Sequence, residues 1–370
     1  MSKDQLTIWL AGSLAELSIK HINKLLTQFT DVHAVWQVCR NDLQQMGLTF
    51  NQAQRLQAIS KSSWDNTWRW ADQSDCHLVA YNDPYYPDLL KQIANPPPVL
   101  YVQGQKELLA SYQLSIVGTR YPTAQGRKTA ELFARDLANS GWIVTSGLAF
   151  GIDIAAHKGA LQYGYSIAVL ATGLDVVYPA SHQQQANAIT QAGALVSEMP
   201  LGTPPKHYYF PRRNRLISGL SQGVLIIEAA NKSGSLHTAR YAVEQNREVF
   251  AVPGSIHNPQ SKGCHKLIKQ GAKLVESVED ITEEWPAQLS LWSQVNTQQA
   301  THSQQHEVAQ DKLNDKQQNL LKILGYEPLT LDEISEWTQH HNNRSSLLSD
   351  LMQLELEGYI QSVPGGYVRC

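Results

Sequence analysis

Hydrophobic positions recur with two different periods along this chain, and each period predicts a different kind of element. Between about residues 5 and 70, apolar side chains such as Leu6, Leu10 and Leu14 recur at three- and four-residue steps. This spacing places them on one face of a helix, and the segment shows no alternation typical of strands. We therefore predict a small all-α domain over residues 1–75.

One segment of this α domain indicates which helical fold it has. The sequence from 43 to 56 is that of a helix, a turn at Gly47 and a second helix. This pattern fits a SAM or helix-hairpin-helix fold, and such folds can contact a nucleic-acid backbone. Few cations lie nearby, so a bundle that packs or binds a protein partner is the preferred interpretation. We assign no binding residue here.

A second pattern begins at about residue 76 and continues to residue 285. Short β-branched runs alternate with amphipathic helical runs, and several strands are apolar at consecutive positions, as in strands covered on both faces. Helices between strands supply the crossovers that parallel neighbours require. We predict an α/β domain over residues 76–285 with a doubly wound parallel sheet, whose ligands bind beyond the carboxyl ends of the strands. The predicted strands are 99–102, 114–117, 142–145, 167–171, 194–198, 224–228, 249–252 and 273–275.

The last part of the chain separates into a linker and a small domain. Residues 286–315 are rich in Gln and offer little to bury, so we predict a flexible linker. Residues 316–370 hold three helical runs and a hairpin, which predicts a winged-helix domain. Its would-be recognition helix carries Asp350, Glu355 and Glu357 against Arg344 alone, the wrong charge for a reader of the major groove, so we prefer a protein contact or a mere appendage. The helical runs and the hairpin are 317–324, 331–337, 344–357 and 359–369.

Composition and charge bound the class of protein. Hydrophobic residues make up 42% and charged residues 17% of the 370 residues, which excludes global disorder. The chain has 30 Lys and Arg against 33 Asp and Glu, a formal net charge of −3. Any contact with nucleic acid must therefore come from a local basic patch.

Cysteine usage and targeting signals favour the cytoplasm. The four cysteines lie far apart and form no zinc-binding or disulfide pattern. No apolar stretch approaches the roughly 18 residues of a membrane helix, and the first apolar run is too short and too acidic for a signal peptide. We expect a cytoplasmic protein with no metal and no membrane partner.

Small, hydroxyl-bearing and basic residues follow four of the predicted strands. Small residues let a ligand approach the backbone, amides at a helix N-terminus attract anions, and Arg120 and Lys232 would neutralise them. Because the carboxyl ends of parallel strands meet on one edge, the four loops predict a phosphate-binding crevice. The alternative is that each glycine only makes a tight turn. The candidate binding residues are Gly118, Thr119, Arg120, Ser146, Gly147, Gly173, Lys232, Ser233 and Gly234.

Three arginines follow three aromatic residues at the start of a predicted helix. Arg212, Arg213 and Arg215 come directly after the aromatic run 208–210. Cations that neutralise a backbone, combined with flat rings that stack on bases, are what a long single-stranded nucleic acid requires. Alternatively, the rings lie in the core and the arginines pair with acidic residues. The acidic candidates are Asp175, Glu198 and Glu228.

Catalytic and cofactor motifs are weak by comparison. Asp153 and His157 stand four residues apart on one helical face, and Glu198 and Glu228 end two strands. A capping Asp and a packed His explain the first pair, and no nucleophile or metal-ligand cluster completes either set. The chain also lacks G-x-G-x-x-G after the first strand and a P-loop anywhere. We predict no catalytic residues and no cofactor.

The motifs of the α/β region resemble a known family in their order and spacing. They include SIVGTR at 115–120, SGLA at 146–149, GLD at 173–175, FPRRNR at 210–215 and KSGSL at 232–236. Together they resemble the DNA-processing protein A family, also called DprA or Smf. The helical front and the winged-helix tail are similar in pattern to the three-domain form of that family.

This resemblance implies a fold and a function. The family has an extended Rossmann-like domain and is cytoplasmic and dimeric. It binds single-stranded DNA that arrives by natural transformation and loads RecA recombinase onto it. The protein would then be a mediator of recombination with no bond-making step, and not an enzyme. Its affinity for DNA should depend strongly on salt and little on sequence, because phosphate contacts carry no base information.

The resemblance also implies positions for the contacts. The family's DNA pocket would use residues 118–120, the loop at Gly173, and Lys232 with Ser233, while the segment 212–215 would flank it. His182 lies where family members can supply a further cation, although an imidazole is largely neutral at neutral pH. The dimer contact and the RecA surface would lie near 256–273.

One competing hypothesis is enzymatic. Rossmann-like phosphoribohydrolases also bind nucleotides at a Gly-rich helix start, and Glu228 with residues 233–235 occupies the corresponding region. That family pattern expects Pro-Gly-Gly-x-Gly-Thr and a following Glu, whereas this chain has KSGSL at 232–236. The departure removes the expected acid and disfavours hydrolysis. A further competing hypothesis is a purely structural interaction protein, which would give Arg120 and Lys232 no function.

Overall fold

A computed structural model describes most of the chain. The described residues are 1–29, 32–59, 62–285, 317, 320, 321, 324, 329–337, 344–356, 359–363 and 365–369. The chain divides into two compact units, Met1–Val295 and Asn296–Cys370. The predicted linker, from 286 to 315, lies outside the described residues.

The first unit begins with the predicted helices. Ser2 and Thr49 each form a capping box, with Gln5 and Gln52 respectively, and so fix the starts of α1 and α5. Gly47 has φ +98° in the turn before α5, a conformation that glycine adopts without strain. The helices described over residues 1–71 are α1 Lys3–Leu14, α2 Ile19–Gln28, α3 Val32–Gln37, α4 Arg40–Gln45, α5 Phe50–Ala58 and α6 Ser62–Ala71.

The rest of this unit is built on a sheet of nine described strands. Their order is β1-β2-β6-β5-β4-β3-β7-β8-β9, and the seven strands from β6 to β9 in this order run parallel to one another. All eight predicted strands are present, which confirms the α/β fold. The strands are β1 Cys76–Ala80, β2 Val99–Gly104, β3 Gln113–Val117, β4 Ile143–Ser146, β5 Ser166–Val169, β6 Gly193–Ser197, β7 Gly223–Ile226, β8 Glu248–Ala251 and β9 Lys273–Leu274.

One edge of the sheet differs from the prediction. β1 is absent from the predicted strands, and β2 pairs antiparallel with both β1 and β6. The connection from β1 to β2 holds only a four-residue helix and three consecutive prolines. Since no long helix crosses over the sheet there, β2 returns directly beside β1 in the opposite direction.

Helices cover both faces of the sheet, as the doubly wound prediction requires. On one face α8, α9 and α10 pack together with the N-terminal helices, whose apolar residues share a continuous core with those of the sheet. On the other face α7, α11, α12 and α13 bury the alternate strand residues. These helices and the last short one are α7 Asp88–Lys91, α8 Ala124–Asn139, α9 Ile152–Ala160, α10 Gln183–Gln191, α11 Tyr209–Leu220, α12 Ser235–Glu244, α13 Lys262–Lys269 and α14 Glu279–Thr282.

The second unit has the elements predicted for a winged helix. Helices α15 Leu331–Trp337 and α16 Arg344–Leu356 precede an antiparallel hairpin of β10 Ile360–Val363 and β11 Gly366–Arg369. Leu351 and other apolar residues of these elements form a core of their own. Of the first predicted helix, 317–324, the structure describes residues 317, 320, 321 and 324.

Candidate nucleic-acid interface

Four loops lie next to one another at the carboxyl ends of the parallel strands. They follow β5, β4, β3 and β7, which are adjacent in this order. Their strands are parallel, so the loops leave the sheet side by side at the carboxyl ends. The structure thus brings together the four loops that the sequence analysis selects.

A crevice of about 480 Å³ opens between the loop after β3 and the loop after β7. Gly118 forms part of its wall, and no larger residue fits there: a Cβ atom would lie 2.6 Å from Cγ1 of Ile152 and 2.9 Å from the carbonyl oxygen of Glu228. The predicted residues Gly118, Arg120, Ser233 and Gly234 all line this crevice. It is therefore the best-formed candidate site on this edge.

Arg120 and Lys232 are the exposed cations of this region. The Arg120 guanidinium lies 5.7 Å from the centre of the Phe210 ring, a cation–π distance. Neither Arg120 nor Lys232 forms an ion pair with any residue that the structure describes. Both charges are therefore free to meet an anionic ligand.

Glu228, directly after β7, is hydrogen-bonded to the loop that follows β3. Its carbonyl oxygen accepts from the Thr119 amide at 2.7 Å. Its carboxylate accepts from the Thr123 hydroxyl at 2.6 Å and from the Thr123 amide at 2.9 Å. Thr119 is buried by these contacts. Glu228 therefore holds the β3 loop in place, and both of its carboxylate oxygens are occupied.

We expect Glu228→Gln to destabilise the protein by about 1–3 kcal/mol, because the amide NH2 leaves one Thr123 donor without an acceptor. The free energy of unfolding in urea measures this loss. The matched variant Glu244→Gln changes an exposed carboxylate that pairs with Arg240 on α12, and it should shift stability by less than about 1 kcal/mol. Equal stabilities of the two variants would contradict the anchoring role of Glu228.

The loop after β7 ends at the first turn of α12. Gly234 is the N-cap residue, and nothing lies within 4 Å of the position that a Cβ atom would take there. The hydroxyls of Ser233 and Ser235 are hydrogen-bonded at 2.7 Å. Space is therefore open over Gly234 beside the crevice, while the amides of Ser233 and Ser235 already donate to the Ala230 carbonyl oxygen and the Ser233 hydroxyl.

Arg213 is buried and forms part of the wall of the crevice. Only 4% of the residue is exposed. Its guanidinium donates to the carbonyl oxygens of Gly147, at 2.7 Å, and of Val169. Burial lowers the pKa of Arg213 to about 10, against the favourable charge of Asp153. Arg213, which the sequence predicts to bind phosphate, thus lines the crevice while its guanidinium donates to backbone carbonyl oxygens of the protein.

Asp153 is the buried counter-charge of Arg213. Its carboxylate accepts from the amides of Gly147 at 3.1 Å and Ala149 at 3.4 Å. Burial raises the pKa of Asp153, while the nearby Arg213 and these two amides oppose the rise. Gly147 is therefore hydrogen-bonded through its amide to Asp153 and through its carbonyl oxygen to Arg213. Both Gly147 and Ser146 are buried. We therefore leave Ser146 and Gly147 out of the proposed contact surface.

The predicted Asp153 and His157 pair does not form a proton-sharing dyad. His157 Nδ1 hydrogen-bonds to the Ser166 hydroxyl at 2.7 Å, and that hydroxyl donates to the carbonyl oxygen of Val144. Burial lowers the pKa of His157 to about 3, so the ring stays neutral at neutral pH. Asp153 uses other partners. The structure supports the packed-histidine interpretation.

Gly173 and His182, two positions at which the family resemblance implies DNA contacts, are both buried. The Gly173 amide donates to the carbonyl oxygen of Thr203 at 3.1 Å, and the residue is buried. His182 Nδ1 donates to the Leu148 carbonyl oxygen at 2.9 Å, and the ring packs edge-on against Phe150. His182 is 7% exposed, so its ring is largely inaccessible to a ligand at the surface.

Arg212 and Arg215 share one carboxylate. Arg212 Nε lies 3.0 Å from Oε1 of Glu198, and Arg215 Nη2 contacts the other oxygen. This is the pairing that the alternative interpretation of the arginine run describes. Neither arginine lines the crevice, and both line a second cleft on the other side of α11.

Several crevice residues are not among those predicted from the sequence. Tyr121 is 83% exposed and lines the crevice together with His207, His237 and Phe210, of which only Phe210 is predicted, as part of the aromatic run. Tyr178 is also exposed, and its ring centre lies 5.6 Å from that of Phe210. The only sequence signal for these residues is that Tyr121 follows Arg120 directly and that Phe210 belongs to the aromatic run.

Comparison with known proteins identifies the class of protein to which the chain belongs. Residues 77–286 match the family described as DNA recombination-mediator protein A, and residues 304–366 match the DprA winged helix domain. The chain belongs to the DNA recombination-mediator protein A family, which confirms the resemblance in the sequence.

Individual relatives extend this match. The chain is 44% identical to Protein Smf of Escherichia coli over 329 residues, which cover 88% of this chain and 86% of that protein. It is 46% identical to DNA processing protein DprA of Bacillus subtilis over 212 residues, 57% of this chain and 71% of that one.

Solved structures of two further relatives are similar as well. DprA of Streptococcus pneumoniae superposes with a TM-score of 0.66 at 35% identity, covering 77% of this chain and 99% of that chain. DNA processing protein A of Helicobacter pylori gives a TM-score of 0.51 at 31% identity, covering 54% and 93%. Within the described part of this chain, the helices fall short of the length and hydrophobicity that a bilayer crossing demands.

Proposed function

We propose that this protein binds single-stranded DNA in the crevice, without preference for sequence. The observation that carries the proposal is exposed Arg120 on the crevice wall, beside Gly118, Gly234 and the Phe210 ring, with exposed Lys232 next in sequence to the lining residue Ser233. Cations and backbone amides bind phosphates of any nucleotide, and an aromatic face stacks on any base. The relatives named for DNA processing support this proposal, and the Helicobacter pylori structure is described as having a single-stranded DNA binding mode.

The wider role follows from the family resemblance. We propose that the protein loads RecA recombinase onto the bound strand during natural transformation and recombination. It would act in the cytoplasm as a homodimer, with no metal and no cofactor. The segment 256–273 is the proposed dimer and RecA surface, and the 66% exposure of Ile256 is in keeping with a surface for a protein partner.

We propose a non-catalytic role for the crevice. The phosphoribohydrolase-like alternative needs an acidic residue near the Gly-rich helix start, and Glu228 is the nearest candidate. Both of its carboxylate oxygens already accept hydrogen bonds from Thr123. Release of free base from nucleoside monophosphates by the purified protein would support the enzymatic alternative instead.

Fluorescence anisotropy with a labelled oligo-dT tests the proposed binding. We expect tight association at low salt that weakens steeply as salt rises, because phosphate binding releases counterions. Duplex DNA of equal length should compete poorly, since its bases are not free to stack on Phe210. Absence of binding at low salt, or equal competition by duplex, would contradict the proposal.

A further inference from the structure

A second cleft, of about 830 Å³, lies between the N-terminal helices and the sheet. One wall comes from the segment that joins α1 to α2 and from the start of α2, including Lys20. Another comes from the three consecutive prolines 96–98, and the third from Tyr209 and Arg212 on α11. This second cleft has no part in the phosphate-binding crevice described above.

The first turn of α11 is the ridge between the crevice and the second cleft. Phe210 and Pro211 line the crevice, while Tyr209 and Arg212 line the second cleft. Neighbouring residues of one helical turn therefore face the two cavities. A polymer that crosses this turn passes directly from one cavity into the other.

The second cleft carries exposed positive charge. Glu198 has 3% of its side chain exposed and is shared by Arg212 and Arg215, so the cluster of three retains one positive charge. The Arg212 side chain is 49% exposed. Across the second cleft, Lys20 is exposed and makes no ion pair with the described parts of the chain, while Glu16 is already paired with Arg55. This charge favours a polyanion.

We propose that the second cleft binds the continuation of the single strand that leaves the crevice, with Lys20 and Arg212 on its phosphates. The proposal rests on the proposed DNA binding in the crevice. Tyr209 offers a ring to a base in the cleft, supported by Tyr208 at a centre-to-centre distance of 4.4 Å. The N-terminal helices then form part of the DNA-binding surface.

The test compares oligo-dT of about 6 nucleotides, a length suited to one cavity, with oligo-dT of about 20 nucleotides. Lys20→Gln and Arg212→Gln should each weaken binding of the longer strand by about three- to tenfold and reduce its salt slope by about 0.7. Binding of the shorter strand should change by less than about twofold, because the crevice is intact. The control Arg240→Gln removes an exposed cation from the outer part of α12, away from both cavities, and should leave both strands unaffected.

The outcomes separate this inference from the proposed function. Unchanged affinity of both variants for the longer strand would overturn the second cleft as a binding site, and so would equal losses for the two lengths. If the unaltered protein bound neither strand, the proposed DNA binding in the crevice would itself fail. Selective loss with the longer strand supports both.

Discussion

Replacing Arg120 by Ala is expected to weaken the binding of single-stranded DNA of any sequence by roughly tenfold to a hundredfold. A hydrogen bond to a charged group contributes about 1.5–3 kcal/mol, and each 1.4 kcal/mol is about a factor of ten in Kd. Arg120 forms no ion pair with any carboxylate of the described residues, so its exposed guanidinium can contact a phosphate. Lys232→Ala should act in the same way from the loop after β7.

The salt dependence identifies the cause of this loss. Each phosphate contact removed should reduce the slope of log K against log salt by about 0.7 for a single strand. Anisotropy titrations at several salt concentrations measure affinity and slope together. Arg240→Ala is the matched control, since Arg240 is exposed but pairs with Glu244 on α12. Unchanged binding in both Arg120→Ala and Lys232→Ala would remove the crevice from consideration as the DNA site.

Arg213→Met is expected to lower the free energy of unfolding by about 3–5 kcal/mol, the cost of leaving a buried charge without its partner. The substitution leaves the Asp153 carboxylate in the interior and frees the carbonyl oxygens of Gly147 and Val169. Urea denaturation of the full chain measures the loss. Arg213→Lys should lose less, because it keeps a positive charge beside Asp153.

The pH dependence of this deficit has a definite sign. Burial already raises the pKa of Asp153, and removing Arg213 takes away the largest contribution that opposes the rise. A carboxyl whose pKa is raised in the folded state destabilises that state where it is ionised and ceases to do so once it is protonated. The deficit of Arg213→Met should therefore shrink as the pH falls below neutral. A deficit that grows on acidification would contradict the pairing.

The sequence predicts which loops lie together at the carboxyl ends of the strands better than it predicts how their side chains are oriented. Four glycine-containing loops could be placed together because parallel strands end on one edge of a sheet. Which arginine of the run 212–215 turns inward depends on the rotation of α11 about its axis. Arg213 donates to the carbonyl oxygens of Gly147, in the loop after β4, and of Val169, at the end of β5, and such a contact between distant segments leaves no local pattern in the sequence.

The charge of the arginine run is misleading for a similar reason. Three basic residues in four positions predict a strongly basic surface, but Glu198 neutralises part of it from a strand end. The sequence analysis names Glu198 as a partner in its alternative interpretation and has no means to choose between the two. The antiparallel strand β1 is not predicted because residues 76–80 contain one β-branched residue, Val79, and a polar one, His77, which is a weak strand pattern.

The core shared between the N-terminal helices and the sheet has a consequence for folding. Trp9 of α1 lies beside Tyr81, and Trp70 of α6 beside Tyr101, at ring-centre distances of 6.1 and 5.9 Å. Removing the helices would expose these tyrosines and the apolar sheet face around them to water. The helices and the sheet thus form one cooperative unit, and a chain that starts after residue 75 would be prone to aggregate before it could bind DNA.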